Sequence, residues 1–217
     1  FTLDIAQVEQ LDLNTDSSSD NAEVVTVDSL VGTELEVLNI DAGGDSSNSI
    51  VLNGNDSAET ISIGPNEQVL GLGPVINTTA AVGGVFGDTI TINSLGGDDT
   101  ITVTTAVNVD LVLNGGTGND LIDASLQTAG VAVTLSGGLG NDTLIGSLGD
   151  TTVNGNEGDD LIDARGGTNT VDGGTGANTF LVSGTAGLDL ITTIDTGAAL
   201  TITGGLSSGV NNYTNMD

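Results

Sequence analysis

Short apolar runs of period two recur along this chain, separated by clusters of Gly, Asn and Asp. They include VEQLDLN at 8–14, EVVTVDSL at 23–30, ELEVLNI at 34–40, SIVLN at 49–53, TISI at 60–63, TITI at 89–92, TITV at 100–103 and DLVLN at 110–114. Further runs follow every eight to twelve residues: LIDAS, VAVTLS, TLIG, TTVN, LIDA, TVD, TFLV, LITTI and LTIT. Alternating, β-branched runs bounded by turn formers predict strands. No stretch carries a 3.6-residue apolar period, so no helix is expected. The rhythm breaks once, at about 64–87, where both prolines (Pro65 and Pro74) fall. An irregular stretch is expected there.

Aligning the strongest runs exposes a register. Asn93, Asn114, Ser136, Asn154 and Asp172 open successive rungs, at intervals of 21, 22, 18 and 18 residues. Four positions on stand Gly97, Gly118, Gly140, Gly158 and Gly176; six positions on stand Asp99, Asp120, Asp142, Asp160 and Asn178. Eight positions on come Ile101, Ile122, Leu144, Ile162 and Phe180. A degenerate earlier rung reads Asn53, Ser57, Glu59 and Ile61. Two short strands and two turns in about 20 residues form one unit of a parallel β-solenoid, which buries its apolar positions only by stacking. The Asn column can stack as an amide ladder, and the repeated glycine suits a turn of positive φ or close backbone approach.

Charge changes this picture. Of 31 charged residues in 217, 30 are acidic (23 Asp, 7 Glu) and one, Arg165, is basic, for a net charge of −29. Nucleic acid and anionic membranes are excluded as ordinary partners, because binding them requires cationic side chains. High acidity with few aromatics also fits disorder, but 37% hydrophobic residues in alternating runs argue for a fold. A salt-adapted surface would scatter both acids over every exposed face; here Asp outnumbers Glu and concentrates in glycine-rich turns. No run of 18 apolar residues offers a transmembrane segment, and no signal peptide is visible at the start. Phe1 in place of Met points to a mature piece or a fragment of something longer. Without Cys there is no disulfide, and without His or Cys no site of the kind zinc or copper prefers.

Stacked strands lie about 4.8 Å apart. An Asp column would therefore hold like charges at about 5 Å, each pair costing about 0.8 kcal/mol even in water and more near protein. The chain provides no basic residue to relieve this, so the cation must come from solvent. Carboxylates with glycine-turn carbonyls form an all-oxygen set, which suits Ca²⁺.

GGTGNDLID (115–123) and GGLGNDTLI (137–145) resemble the nonapeptide G-G-x-G-x-D-x-U-x of the RTX (repeats-in-toxin) calcium-binding proteins. GNEGDDLID (155–163), GGTGANTFL (173–181) and SLGGDDTIT (94–102) are close variants. The resemblance implies a right-handed parallel β-roll in which the first six residues of each nonamer form the turn. Several Ca²⁺ ions would lie between successive turns, held by the sixth-position Asp and by backbone carbonyls. Carried over, Asp120, Asp142 and Asp160 fill the Asp slot, and Gly115, Gly116, Gly118, Gly137, Gly138, Gly140, Gly155 and Gly158 fill glycine slots. Gly97 and Asp99 match in part, as do Gly173 and Gly176, whose nonamer carries Asn178 in place of Asp. The intermediate nonamers put Thr151 and Asn169 in that slot, so the opposite edge is expected to be metal-free until Asp189. The resemblance covers about residues 94–192. It divides the chain into degenerate β-solenoid units at 1–93 and an RTX-like β-roll at 94–217, continuous with the first part; residues 1–63, poorer in turn aspartates, are expected to respond less to calcium.

These features favour an extracellular structural or adhesive module of a larger secreted or surface protein, such as a filament, surface layer or adhesin, folding on export into high calcium. Its expected partners are calcium and other copies of itself or neighbouring domains. Two alternatives stand beside it: a secretion or folding module of a secreted enzyme, and an ice-binding solenoid using outward Thr89, Thr91, Thr100 and Thr102. The threonine column fails at Leu121, Asp123, Leu161 and Asp163, and Thr is favoured on pleated surfaces anyway. Catalysis is not expected. Without His there is no Ser–His–Asp machinery, the cation and base of a lyase are missing apart from Arg165 and Tyr213, and nothing singles out one carboxylate pair for glycoside hydrolysis.

Overall fold

A computed structural model describes residues 10–14, 22, 24–30, 32, 35–41, 47–79, 88–128, 130–181, 190–192, 201–203 and 212–214. Those residues are all-β, with no α-helix among them and a single 3₁₀ turn at Pro65–Glu67. Among the described residues no helix is long and apolar enough to cross a membrane.

The strands fall into two sheets. One contains, in spatial order, Gln10–Asn14, Val37–Asp41, Val75–Thr79, Val69–Leu70, Thr60–Ile63, Thr100–Val103, Leu121–Asp123, Thr143–Ile145, Leu161–Asp163, Thr179–Leu181 and Thr201–Thr203. The other runs Val24–Val27, Ser49–Asn55, Thr89–Gly96, Asp110–Thr117, Val133–Leu139, Thr151–Glu157, Thr170–Asp172, Leu190–Thr192 and Asn212–Thr214. From residue 89 onward the chain visits the sheets in strict alternation, and neighbouring strands are parallel. Strand order, register and pairing therefore make each successive strand pair one rung of a stack.

Alternation explains which residues face inward. In Thr89–Gly96, Ile90, Ile92, Ser94 and Gly96 are buried while the intervening residues are more exposed. The inward residues of both sheets belong to one cluster. The paired register aligns Ile61, Ile101, Ile122, Leu144, Ile162 and Phe180 in one column, and Leu52, Ile92, Leu113, Leu135, Val153 and Val171 in another. All twelve are at most 2% exposed. Each contributes about 1.5–3 kcal/mol through burial, so stacking is what stabilises a rung that has too little core alone.

On the outer face of the second sheet the expected amide ladder is present. Asn114 Nδ2 donates to Asn93 Oδ1 (2.7 Å), and Asn93 Nδ2 to Asn53 Oδ1 (2.7 Å). Asn53 Nδ2 closes the run on Asp28 Oδ1 at 2.9 Å. A shorter ladder joins Gln68, Asn77 and Asn39 on the first sheet.

Residues 64–79 leave the stacking rhythm without losing strand structure. After the turn at Pro65–Glu67, Val69–Leu70 pairs antiparallel with both Thr60–Ile63 and Val75–Thr79, placing two extra strands in the first sheet only. Val69, Leu72 and Ile76 nevertheless bury their side chains in the common core. Runs of two and five residues flanked by Gly71, Gly73 and Pro74 are too short to show period-two alternation in sequence. Residues 80–87 lie outside the described residues. The ladders pass residue 93 unbroken, since Ser49–Asn55 pairs with Thr89–Gly96 and Thr60–Ile63 with Thr100–Val103.

Candidate metal centre

At the end of each long strand in the second sheet the chain passes through a nonamer. The ladder register does not stop there: Gly116 pairs with Gly138 and Thr117 with Leu139. The turn proper is therefore shorter than the six residues implied by the resemblance. What the register skips is the first residue of each nonamer, since pairing passes from Asn114–Ser136 to Gly116–Gly138, and from Ser136–Asn154 to Gly138–Asn156. A residue omitted from the register marks a local kink in the strand. At the fourth position the backbone takes positive φ, 135° at Gly118, where a Cβ would overlap the Gly97 carbonyl. Only glycine fits.

The turn then delivers the sixth residue to the interior. Asp99, Asp120, Asp142, Asp160 and Asn178 are all 2–3% exposed. Each side-chain Oδ1 accepts a hydrogen bond from the backbone N–H of the corresponding residue one rung earlier. Glu59 donates to Asp99 (2.7 Å), Asp99 to Asp120 (2.8 Å), Asp120 to Asp142 (2.8 Å), Asp142 to Asp160 (2.9 Å) and Asp160 to Asn178 (2.9 Å). One oxygen of every carboxylate is thus used to fasten neighbouring rungs.

The other oxygen is not. Oδ2 of Asp99, Asp120, Asp142 and Asp160 is buried with no hydrogen-bond partner. Orphaned buried polar atoms are costly, more so when charged. Their surroundings repeat. A Cβ placed on Gly115 would overlap Asp120 Oδ2 and stand 2.8 Å from Gly137 O; on Gly137 it would overlap Asp142 Oδ2 and stand 2.9 Å from Gly155 O. On Gly155 it would overlap both Asp160 Oδ2 and Gly173 O. An unpartnered carboxylate oxygen and a backbone carbonyl of the next rung therefore converge on each first-position glycine. No three acidic side chains converge on one point among the described residues; each gap offers carboxylates from two rungs plus carbonyls. This is an oxygen-only donor set with excess negative charge, and it fits Ca²⁺.

The column's electrostatics agree. Burial pushes the carboxyls of Asp120 and Asp142 up to about 6, against a backbone N–H that lowers them, and the next carboxylates along the column raise them further. Burial and Asp159 raise Asp160 in the same way. No basic side chain is among the causes for any of the three.

The column is not uniform. Ser94 stands where the other nonamers have glycine, and its hydroxyl donates to Gly115 O at 2.7 Å, a contact that glycine cannot make in the later gaps. Asn178 keeps the ladder bond through Oδ1, and its Nδ2 donates to Gly174 O at 3.4 Å, so its rung fastens without adding charge. On the opposite edge, Thr151 N–H donates to Asn169 Oδ1 (2.9 Å) and Ser147 N–H to Thr151 Oγ1 (3.1 Å). The first of these is the same inter-rung fastening made by a neutral side chain, and the second lies within one turn; neither uses a carboxylate. Asp189 lies outside the described residues.

Three features escape a reading of the nonamer alone. Glu59, 8% exposed, has an orphaned Oε2, as does Asp88 through Oδ2 on the opposite edge, where its Oδ1 accepts the Asn48 N–H at 2.7 Å. The Asn53–Ile61 register already pointed to Glu59; Asp88 sits beside the break in rhythm and carries no repeat signature. The fifth position forms a second, exposed ladder of opposite direction. Asn119 N–H donates to Asp98 Oδ1, Asn141 N–H to Asn119 Oδ1, Asp159 N–H to Asn141 Oδ1 and Ala177 N–H to Asp159 Oδ1, all at 2.6–2.9 Å. Asx side chains at positions five and six thus fasten each rung both ways, which explains the repeated ND and DD pairs.

A pH dependence follows. Asp120 and Asp142 titrate near 6 in the metal-free fold against an ordinary 3.8, so the folded state holds protons that the unfolded chain releases. Stability is then fullest below about pH 4, falls as pH rises through 6, and stays low above. In chelator, circular dichroism should show more β structure at pH 4.5 than at pH 7.5. A calcium-saturated sample should show the reverse, because protons compete with the metal.

Residues 112–127, 132–153 and 145–180 match the family model described as RTX calcium-binding nonapeptide repeat (4 copies). No curated protein and no solved structure matches the chain.

Proposed function

We propose that this chain, whose residues 112–180 carry RTX calcium-binding nonapeptide repeats, is a calcium-set structural or adhesive module of a larger secreted or surface protein. In this reading the rungs wind as a right-handed β-roll and calcium occupies the gaps along the Asp99–Asp160 edge. The observation that carries it is the run of four buried carboxylate oxygens without partners, each on a rung that is otherwise fully fastened. A fold that repeats such a cost needs a cation for each gap, and the cell exterior is where calcium is abundant. Metal binding energy is then partly folding energy, so the chain stays loosened in the cytosol and sets after export.

The role needs no catalytic group, and the buried carboxylates are engaged in rung fastening rather than open to a substrate. We accordingly read the chain as non-catalytic. The secretion-module alternative shares the same calcium physics and differs only in what the rest of the protein does. The ice-binding reading gains little, because Thr100 and Thr102 pair with Leu121 and Asp123, which interrupt the outward column.

Isothermal titration tests the export step. The expected half-saturation lies between about ten micromolar and one millimolar calcium, the range of sensor and extracellular sites. A midpoint below about one micromolar would mean that the chain folds before leaving the cell.

A further inference from the structure

The turn at 54–59 lies outside the residues matched to the nonapeptide family, yet it reproduces the donor arrangement of the matched turns. Its register with the next rung passes from Asn53–Asn93 to Asn55–Leu95, skipping Gly54 and Ser94 as the later registers skip the first residue of each nonamer. A Cβ on Gly54 would overlap Glu59 Oε2 and stand 3.0 Å from Ser94 O. Asp99 reaches back across the gap, its Oδ1 accepting the Glu59 N–H at 2.7 Å. Glu59 Oε2 and Asp99 Oδ2 are both buried and unpartnered.

Building on the calcium reading of the later rungs, we propose that Glu59, Asp99 and the Ser94 carbonyl form a further divalent-cation site, which ties the 54–59 turn to the 94–99 turn.

Glutamate at this position has a geometric reason. The Asp members of the column bond to the amide of an earlier rung. Glu59 instead turns Oε1 onto its own turn, accepting the Asn55 N–H at 2.9 Å and the Asn55 side-chain amide. The extra methylene allows this fold-back while leaving Oε2 facing the gap toward Ser94. Glu59 is therefore the terminal member of the column among the described residues, and an aspartate would be too short to make both connections. A cleft of about 450 Å³ opens beside Glu59, lined also by Ser29, Asn55, Ser57, Thr60 and Gly71.

This site would do something that the later ones do not. Successive carboxylates there are 18 to 22 residues apart, whereas Glu59 and Asp99 are separated by 40. The intervening segment includes the two extra strands. Closing a longer loop costs more chain entropy, and a cation clamping its two ends offsets that cost. Residues 49–63 should thus depend on calcium as the nonapeptide rungs do, contrary to the weaker response that their sparse turn aspartates suggest.

The test counts calcium bound per full-length chain by equilibrium dialysis, and follows amide exchange in residues 49–63 and 112–180 with and without calcium. Glu59→Gln keeps the shape and the Asn55 bond through its amide oxygen. Gly54→Ala leaves the chemistry intact but puts a methyl group between Oε2 and Ser94 O, in a backbone conformation that alanine accepts. Each variant is expected to bind one ion fewer than wild type and to lose calcium-dependent protection of 49–63, while 112–180 keeps its own. If both variants bind as many ions as wild type, or 49–63 responds to calcium unchanged in both, this site is overturned while the nonapeptide sites stand. A wild-type chain that binds no calcium overturns both readings together.

Discussion

Chelation of calcium at neutral pH should unfold the stacked rungs between residues 94 and 181. In the metal-free fold Asp120 and Asp142 titrate near 6 instead of 3.8. Each pKa unit is worth about 1.36 kcal/mol before solvent screening, so ionising these carboxyls at pH 7 opposes folding. Asp160 adds a contribution of the same sign. Such costs are a sizeable share of the roughly 5–15 kcal/mol that a whole domain typically commands. The glycines that make the turns possible also lose the most backbone freedom on folding. No charge in the chain compensates this at neutral pH, because Arg165 is its only basic residue. Circular dichroism in excess EGTA is expected to lose most of its β signal, and amide exchange at residues 99, 120, 142 and 160 to accelerate by orders of magnitude. A native β spectrum with full protection in chelator would show that the core columns suffice alone.

The repeat made much of this legible in sequence. Wherever a strand alternates cleanly and a glycine-aspartate turn follows, as at Asp110–Thr117 and Val133–Leu139, period and register can be read from residue types because stacking forces like onto like. The Asn53, Glu59 and Ile61 rung was visible by the same logic despite its altered turn, and it pairs with Asn93, Asp99 and Ile101. Legibility failed where structure is not repeated. Val69–Leu70 pairs antiparallel with both its neighbours, and Val75–Thr79, though parallel to Val37–Asp41, lies 38 residues beyond it rather than at the spacing of the later rungs. Asp88 is buried by neighbours rather than by a motif. The identity of the donor atoms was also hidden. Sequence implies aspartates and glycine carbonyls together, but only the fold shows that Oδ1 is consumed by the preceding amide and that Oδ2 is the oxygen left over.

That division of labour between the two oxygens yields the second prediction, a substitution whose effect changes sign with calcium. Asp142→Asn keeps the fastening bond, as Asn178 shows by accepting the Asp160 N–H through its own Oδ1 at 2.9 Å. Its new amide group can reach the carbonyl of Gly138, as Asn178 reaches that of Gly174. What disappears is a buried charge. Without metal, the variant should be more stable than wild type at pH 7 by roughly 1–3 kcal/mol, the screened ionisation cost that it no longer bears. With saturating calcium it should be less stable, because a ligand to the cation is gone and the neighbouring gaps share its carboxylate. A tenfold loss of affinity at one gap corresponds to about 1.4 kcal/mol, and the loss here should be at least that.

The central claim is that the buried carboxylates are there to hold calcium. Its most direct test is the stability of Asp142→Asn relative to wild type at pH 7, measured once in EGTA and once in millimolar calcium, with urea as denaturant or an osmolyte to promote folding where the metal-free chain is unfolded in water. The account predicts opposite signs: stabilising in chelator, destabilising in calcium. A variant that is destabilised equally in both would mean that Asp142 acts through packing and hydrogen bonding alone, and that the column does not bind the ion.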